Sequence, residues 1–454
     1  MRPDLEARLL ARAARSQRQG RLPSLAAGVV QAGELTWAAG RGTVDGTREG
    51  AVPDADTQYR IGSITKTFVA VLVMRLRDEG LLRLDDPVGR HAPGTPVGDV
   101  TVGQLLAHSA GLTSESPGQW WERTPGAGFD ALASSLGQEH RVHDAGVRFH
   151  YSNVGFGILG AVVEARRGAP WVDCVRREVL EPLGMTRTSP MPEPPAATGL
   201  AVHPWADLVL PEPTPDAGAM APAGQLWSTL RDLAAYSRVF LGLAPEVLAP
   251  ETVEQMATPG VVDARPSGWS GYGLGLQVHR TATGALLVGH GGSMPGFLAS
   301  FLVEREQQTA SLVVANSTVG LDGSIGADLL ALVAEHEPYV APAWRPATEV
   351  AAADLEIAGP WYWGVTPLAV RLTGPDTLDL LTLQGVGRAA RFRRRGEEWV
   401  GIDGYYAGEA LRVVRGADGS VTSLDIATFV LTRAPYDPPE LQPGGVEPPG
   451  WRTV

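Results

Sequence analysis

Strand-forming sequence occurs in this chain as two blocks far apart, and the residues between them have helical character. Residues 24–33 (SLAAGVVQAG) and 34–43 (ELTWAAGRGT) read as two strands joined by a tight Gly-containing turn. Strands resume only at YGLGLQVHR, GALLVGHG, FLASFLVERE and TASLVVANS, and the helix GADLLALVAEHE closes that segment. Between the blocks, TQYRIGSITKTFVAVLVMRLRDEGLL sets Phe68, Val69, Leu72, Val73 and Leu76 at helical spacing, with Gly80 past the last turn as a C-cap. TVGQLLAHSAGL, NVGFGILGAVVEARRG, WVDCVRREVLEPLG and LWSTLRDLAAYSRVFLG continue the helical run. Strands at both ends and helices in the middle predict an α+β fold. One antiparallel sheet is built from the two ends, with a helical insertion beside it.

Two stretches fall outside this pattern. Ser189 to Pro222 is Pro-rich, with too little periodicity for regular structure, and is expected to cross the surface or border the site entrance. HEPYVAPAWRPATEV, with three prolines, reads as a linker. After it the pattern changes to WYWGVT, PLAVRLTG, TLDLLTLQG, AARFRRRG, EEWVGID, EALRVVRG, SVTSLDI and ATFVLTR. About eight short strands with close turns predict a small all-β C-terminal barrel. The expected division is a first domain over 1–338, a linker over 339–353, and the barrel with a C-terminal tail over 354–454.

Composition narrows the function. The formal charge of -12, with no basic stripe, argues against a nucleic-acid surface. Cys174 is the single cysteine, so no intrachain disulfide forms, and its helical setting predicts a packed thiol. The N-terminal MRPDLEARLLARAARSQRQG reads as an amphipathic helix, not a signal peptide, and no apolar run approaches the roughly 20 residues of a membrane span. The expected address is the cytoplasm.

Chemistry concentrates at three separated places. Ser63-Ile64-Thr65-Lys66 sits where loop becomes helix, and the i to i+3 offset puts hydroxyl and amine on one face. Serine is a poor nucleophile at neutral pH without a nearby base; lysine serves once desolvation lowers its pKa. The helix start adds backbone N–H groups suited to a developing oxyanion. Tyr151-Ser152-Asn153 follows at another helix start: the phenol suits phenolate formation or proton relay, and the Asn153 amide can fix Lys66 or bind a substrate carbonyl. His290-Gly291-Gly292-Ser293 ends a strand, where two glycines allow close approach and Ser293 N–H can be the second oxyanion donor.

RIGSITKTF, LLAHSAGL, HYSNVGFGILG, PLGM, PAGQLWST and GHGGSMPGF together resemble the β-lactamase-related serine hydrolases, which include class C β-lactamases, penicillin-binding proteins, D-aminopeptidases and esterases. The resemblance covers roughly residues 20–335. It implies an antiparallel sheet flanked by helices with an all-helical subdomain, the site lying between them. It implies Ser63 as acyl-enzyme nucleophile, Lys66 as general base and Tyr151 as proton-transfer partner. It implies Asn153, His290, Gly291, Gly292 and Ser293 as substrate or oxyanion contacts. His290 would replace the lysine common in the third box, which moves the expected substrate from β-lactams toward esters or short peptides. No cofactor or metal is implied. The expected partner is a small molecule or short peptide, with no nucleic acid and no membrane, and the chain acts as a monomer or homo-oligomer. The C-terminal region resembles the lipocalin-like barrels appended to some members of this family.

Three rival readings compete with this one. Ala107-His108-Ser109-Ala110-Gly111 imitates the nucleophile elbow of an α/β-hydrolase, without the preceding βαβ alternation. His140, His143, Asp144 and His150 cluster, but their spacing matches no standard zinc signature. The alternative from another class is a non-catalytic, penicillin-binding-protein-like ligand-binding protein that keeps the fold without turnover.

Overall fold

Seven of the eight residues in the strand Ser24–Gln31 are buried, because both faces of this strand are covered. Leu25, Ala27 and Val29 pack into one apolar cluster, and Ala26 and Val30 into another. Side chains of a strand alternate between faces, so a strand carrying no polar alternation belongs at the centre of a sheet between two layers. The computed structural model describes residues 1–95, 97–265, 268–281, 283–346, 349–385 and 387–435, and it divides into two compact units, 1–340 and 341–454.

In the first unit, helix α1 (Pro3–Gln19) has proline at its first turn and buries Leu5, Leu9 and Ala13, one stripe of an amphipathic helix. Strands β1 (Ser24–Gln31) and β2 (Glu34–Gly42) form the expected hairpin; Ala32 and Gly33 both take positive φ in its two-residue turn. Helices α2 (Thr65–Asp78), α3 (Asn153–Arg167) and α4 (Leu230–Phe240) follow. Then come β3 (Val261–Arg265), β4 (Gly268–Tyr272), β5 (Gln277–Arg280), β6 (Leu286–Met294), β7 (Phe297–Glu304), β8 (Thr309–Ala315) and helix α5 (Ile325–His336). The sheet order is β2-β1-β8-β7-β6-β5-β4-β3, antiparallel throughout, so β1 and β8 from opposite ends of the chain are neighbours. α1 and α5 pack on one face; α2 and α4 belong to the core on the other.

Two expectations need correction. The Pro-rich stretch is not without regular structure: Leu200–Val202 pairs with Val209–Pro211, and Gly218–Ala223 forms 3-10 turns. Three-residue strands are too short to leave a periodic signature. The hairpin β3–β4 lies N-terminal to the strands expected from the sequence, in a segment whose glycines give it the look of a loop.

In the second unit eight strands, Gly359–Trp363, Thr366–Gly374, Thr377–Thr382, Ala390–Arg395, Glu398–Gly401, Ala410–Arg415, Val421–Ile426 and Phe429–Thr432, close into a barrel in chain order. Tyr362 pairs with Thr432 to close it. Trp361, Leu378, Leu380, Phe392, Trp399 and Leu424 form its core, and Trp361 Nε1 donates to Ile357 O at 2.7 Å. The tail expected beyond residue 435 lies outside the described residues.

Candidate active site

Ser63 lies on a single 3-10 turn, Gly62–Ile64, that leads directly into α2. Gly62 has φ +53, and a Cβ there would meet Ser293 N at 2.5 Å. Gly292 meets the same contact from the other side, since a Cβ on it would fall 2.0 Å from Ile61 O. The Ser63 turn and strand β6 therefore touch backbone to backbone, and only glycine fits at both places.

The edge of β6 is free where it meets this turn. β5 pairs with β6 over Leu286–Gly289 and no further, whereas β7 pairs with β6 along its whole length to Met294. Gly291 N–H leaves the free edge and donates to Gln277 Oε1 at 3.1 Å. Backbone direction repeats every second residue, so Ser293 N–H and C=O leave the same edge, beside Ser63. Ser63 N–H at the helix start and Ser293 N–H thus form a pair of donors suited to one oxyanion.

Lys66 is fully buried, and its three near neighbours define its chemistry. Nζ lies 3.0 Å from Ser63 Oγ, 2.7 Å from Asn153 Oδ1 and 2.6 Å from Ala223 O. Burial lowers its pKa to about 7, with Glu115 and Glu122 pulling weakly upward. Near neutral pH the uncharged amine is therefore accessible. A neutral amine has two N–H donors and one lone pair. Asn153 Oδ1 and Ala223 O can only accept, so they take the two N–H bonds, and the lone pair is left facing the Ser63 hydroxyl.

Tyr151 precedes α3, whose N-cap is Ser152, with Ser152 Oγ accepting from Gly155 N–H at 3.1 Å. Its phenol hydrogen-bonds with Ser63, and desolvation pushes its pKa well above the usual tyrosine range. The phenol stays protonated at neutral pH, which favours proton relay over a standing phenolate. Lys66 Nζ sits 5.0 Å from the centre of the Tyr151 ring.

His290 lines the cavity wall, but both ring nitrogens are occupied by the protein itself. Nδ1 lies 2.5 Å from Gly291 O and Nε2 lies 3.0 Å from the Tyr272 hydroxyl. The carbonyl only accepts, so Nδ1 carries the proton and Nε2 accepts from Tyr272. Burial lowers the pKa to about 3, leaving the ring neutral. The third box therefore presents no cation from this position. Gly291, Gly292 and Ser293 line the same cavity, of about 640 Å³, as Ser63 and Tyr151.

Several site residues were not anticipated. Glu115 accepts from Asn153 Nδ2 at 2.9 and 3.1 Å and from Trp121 Nε1 at 2.6 Å, fixing the amide so that its oxygen faces Lys66. The buried His108 ring packs 4.2 Å from the Tyr151 ring, and its Nδ1 accepts from Ser152 N–H at 3.1 Å. Gln277 ties down Gly291. These residues occupy loops or strand ends and carry no spacing signal, although His108 stands in one of the quoted segments. Ser109 follows the short helix Val102–Leu106, not a strand, so it is no nucleophile elbow. His140 and His150 bond to Gly137 N–H and Ser114 Oγ, and among the described residues no group of three His, Cys, Asp or Glu side chains is placed to hold a metal. Cys174 is buried. No described helix is long and apolar enough to cross a membrane.

Residues 6–335 match the Beta-lactamase family. The chain belongs to that family. Residues 350–433 match a domain of unknown function, DUF7586. Penicillin-binding protein 4 of Amycolatopsis lactamdurans is 31% identical over 216 residues, 43% of this chain and 55% of that protein. The chain spans about half the length of the curated relatives it matches, 46% and 55% for two of them. Among solved structures, a D-stereospecific amidohydrolase from Streptomyces matches with TM-score 0.59 and 26% identity, over 73% of this chain and 98% of that one. The octameric penicillin-binding protein homologue from Pyrococcus abyssi shares the fold, with TM-score 0.65 and 23% identity over 94% of this chain and 99% of that one. This member of the beta-lactamase family thus has a β-lactamase/transpeptidase-like fold with a closed eight-stranded barrel following it.

Proposed function

We propose that this protein is a serine hydrolase that cleaves an ester or amide bond through an acyl-enzyme on Ser63. The observation that carries this reading is the Lys66 amine, 3.0 Å from Ser63 Oγ with its N–H bonds directed to Asn153 and Ala223. The Ser63 proton passes to the Lys66 lone pair as Oγ bonds to the substrate carbonyl carbon. Negative charge develops on the carbonyl oxygen between Ser63 N–H and Ser293 N–H. The tetrahedral intermediate then collapses, the bond to the leaving group breaks, and the proton reaches that group through the Tyr151 hydroxyl. Water attacks the acyl-enzyme by the same proton path reversed, releasing the acid and restoring Ser63–OH.

Neutral His290 in place of a third-box cation disfavours a substrate anchored by a carboxylate, and with it strong β-lactamase activity. Esters and amides or peptides of D-amino acids fit better; an amidohydrolase among the structural relatives supports the second group. The chemistry needs no cofactor or metal, and the partner is a small molecule or short peptide acted on by a monomer or homo-oligomer. The test is a panel of p-nitrophenyl esters, D-amino-acid amides and nitrocefin, with fluorophosphonate labelling, on wild type and Ser63→Ala. Ester or amide turnover and labelling lost in the variant are expected. Unlabelled wild-type protein that still binds panel compounds would favour the non-catalytic binding protein instead.

A further inference from the structure

The cavity that holds Ser63 does not stop at the free edge of β6. Alternation assigns its other residues to the opposite face of the sheet. Leu287 is opposite His279, Gly291 opposite Ser300 and Ser293 opposite Leu298, so these side chains share one face. That face belongs to α5: a Cβ on Gly326 would meet Ser300 Oγ at 2.9 Å and Leu302 Cδ1 at 3.0 Å. Toward β8 the face is filled by α1 and α5. Toward β6 it opens into a groove where Leu298 and, from α5, Ala327 lie over the buried Leu287 and Leu302, with the polar His279 and Ser300 in the same lining. Gly291 keeps the floor low, since a Cβ there would meet nothing closer than 3.9 Å. Exposed Arg280 and Asp322 stand at the rim.

We propose that this groove is a subsite for an apolar chain of the substrate, reached from Ser63 around the free edge of β6. The proposal rests on the hydrolase reading above and adds the substrate class. Four observations converge on it. The lining is more apolar than polar, with four aliphatic side chains beside His279, Thr281 and Ser300, and the floor residue is glycine where a side chain would fit. The cavity, at about 640 Å³, falls in the ~300–1,000 Å³ range of small-molecule sites and far exceeds the needs of an acetyl group. Ser63 and Tyr151 open directly into it, so a chain lying in the groove can be joined to the bond under attack.

Two ester series test this and separate the sources of the chain: p-nitrophenyl esters from acetate to decanoate, and acetate esters of alcohols from methanol to octanol. In one series kcat/KM should rise about fourfold per methylene until the groove is full. Ala327→Trp fills the groove and should lower the long-to-short kcat/KM ratio by at least about tenfold. Binding of the neutral dye prodan to Ser63→Ala protein reads the groove without turnover. It should be retained there and weakened by at least about tenfold when Ala327→Trp is added. Dye binding that responds to Ala327→Trp while wild type turns over neither esters nor D-amino-acid amides and takes no fluorophosphonate label would support the groove and sink the hydrolase reading. Flat profiles in both ester series, with dye binding indifferent to Ala327→Trp, would overturn the groove.

Discussion

The barrel and the hydrolase-like unit treat polarity in opposite ways. In the barrel each strand pairs with its neighbour in sequence, alternation sends apolar side chains inward, and among the described residues Thr432 is the one polar side chain that is buried. In the first unit Lys66, Arg60, His108, Asn153 and His290 are all buried, and His108 adopts a positive φ. Burying such groups costs free energy that an apolar core does not incur. Where local rules and fold agree, as in the barrel, the sequence serves stability. Where they conflict, as around Ser63, the conflict coincides with the proposed site.

That contrast can be broken or sharpened by substitution. Lys66→Met should lower kcat/KM by about 10²–10⁴ with the fold retained, measured by ester turnover and circular dichroism. Unchanged turnover would make the buried amine structural. Gly292→Val should lower kcat by about 10²-fold, because its side chain would collide with Ile61 O and carry Ser293 N–H off the oxyanion. Trp361→Ala in the barrel core should cost about 3–5 kcal/mol of that unit's stability, read by denaturant unfolding, without altering the pH profile of turnover. An altered profile would mean the two units are not chemically independent.

A smaller effect follows from the lysine pKa. In the unfolded chain Lys66 titrates near 10.5, and in the folded chain near 7. Between these values the unfolded state holds more protons, so stability rises with pH. Wild type should therefore gain about 2 kcal/mol over Lys66→Met between about pH 7 and 9, measured by parallel urea titrations. A constant difference would place the folded-state pKa elsewhere.

The fold was legible wherever a period or an order was present. Strand blocks at 24–43 and 272–317 with helices between them are enough to imply one sheet closed from both ends. Ser63 and Lys66 share a helical face because of their spacing, and Tyr151 and Asn153 announce themselves at a helix start. Glu115, Trp121 and Gln277 could not be read, because long-range hydrogen bonds from loops and strand ends leave no mark in local pattern. His290 could be placed on the strand but not oriented. That Tyr272 and Gly291 O take both of its nitrogens depends on a tertiary contact 18 residues away. The β3–β4 hairpin was hidden by its glycines and proline.

The rate at which a fluorophosphonate acylates Ser63, followed between about pH 5 and 9, reports on the base most directly. A single rise with an apparent pKa about 7, set by the buried amine of Lys66, is expected, with no adduct in Ser63→Ala. A rate independent of pH across that range, or an adduct on another side chain, would contradict a neutral lysine activating this serine.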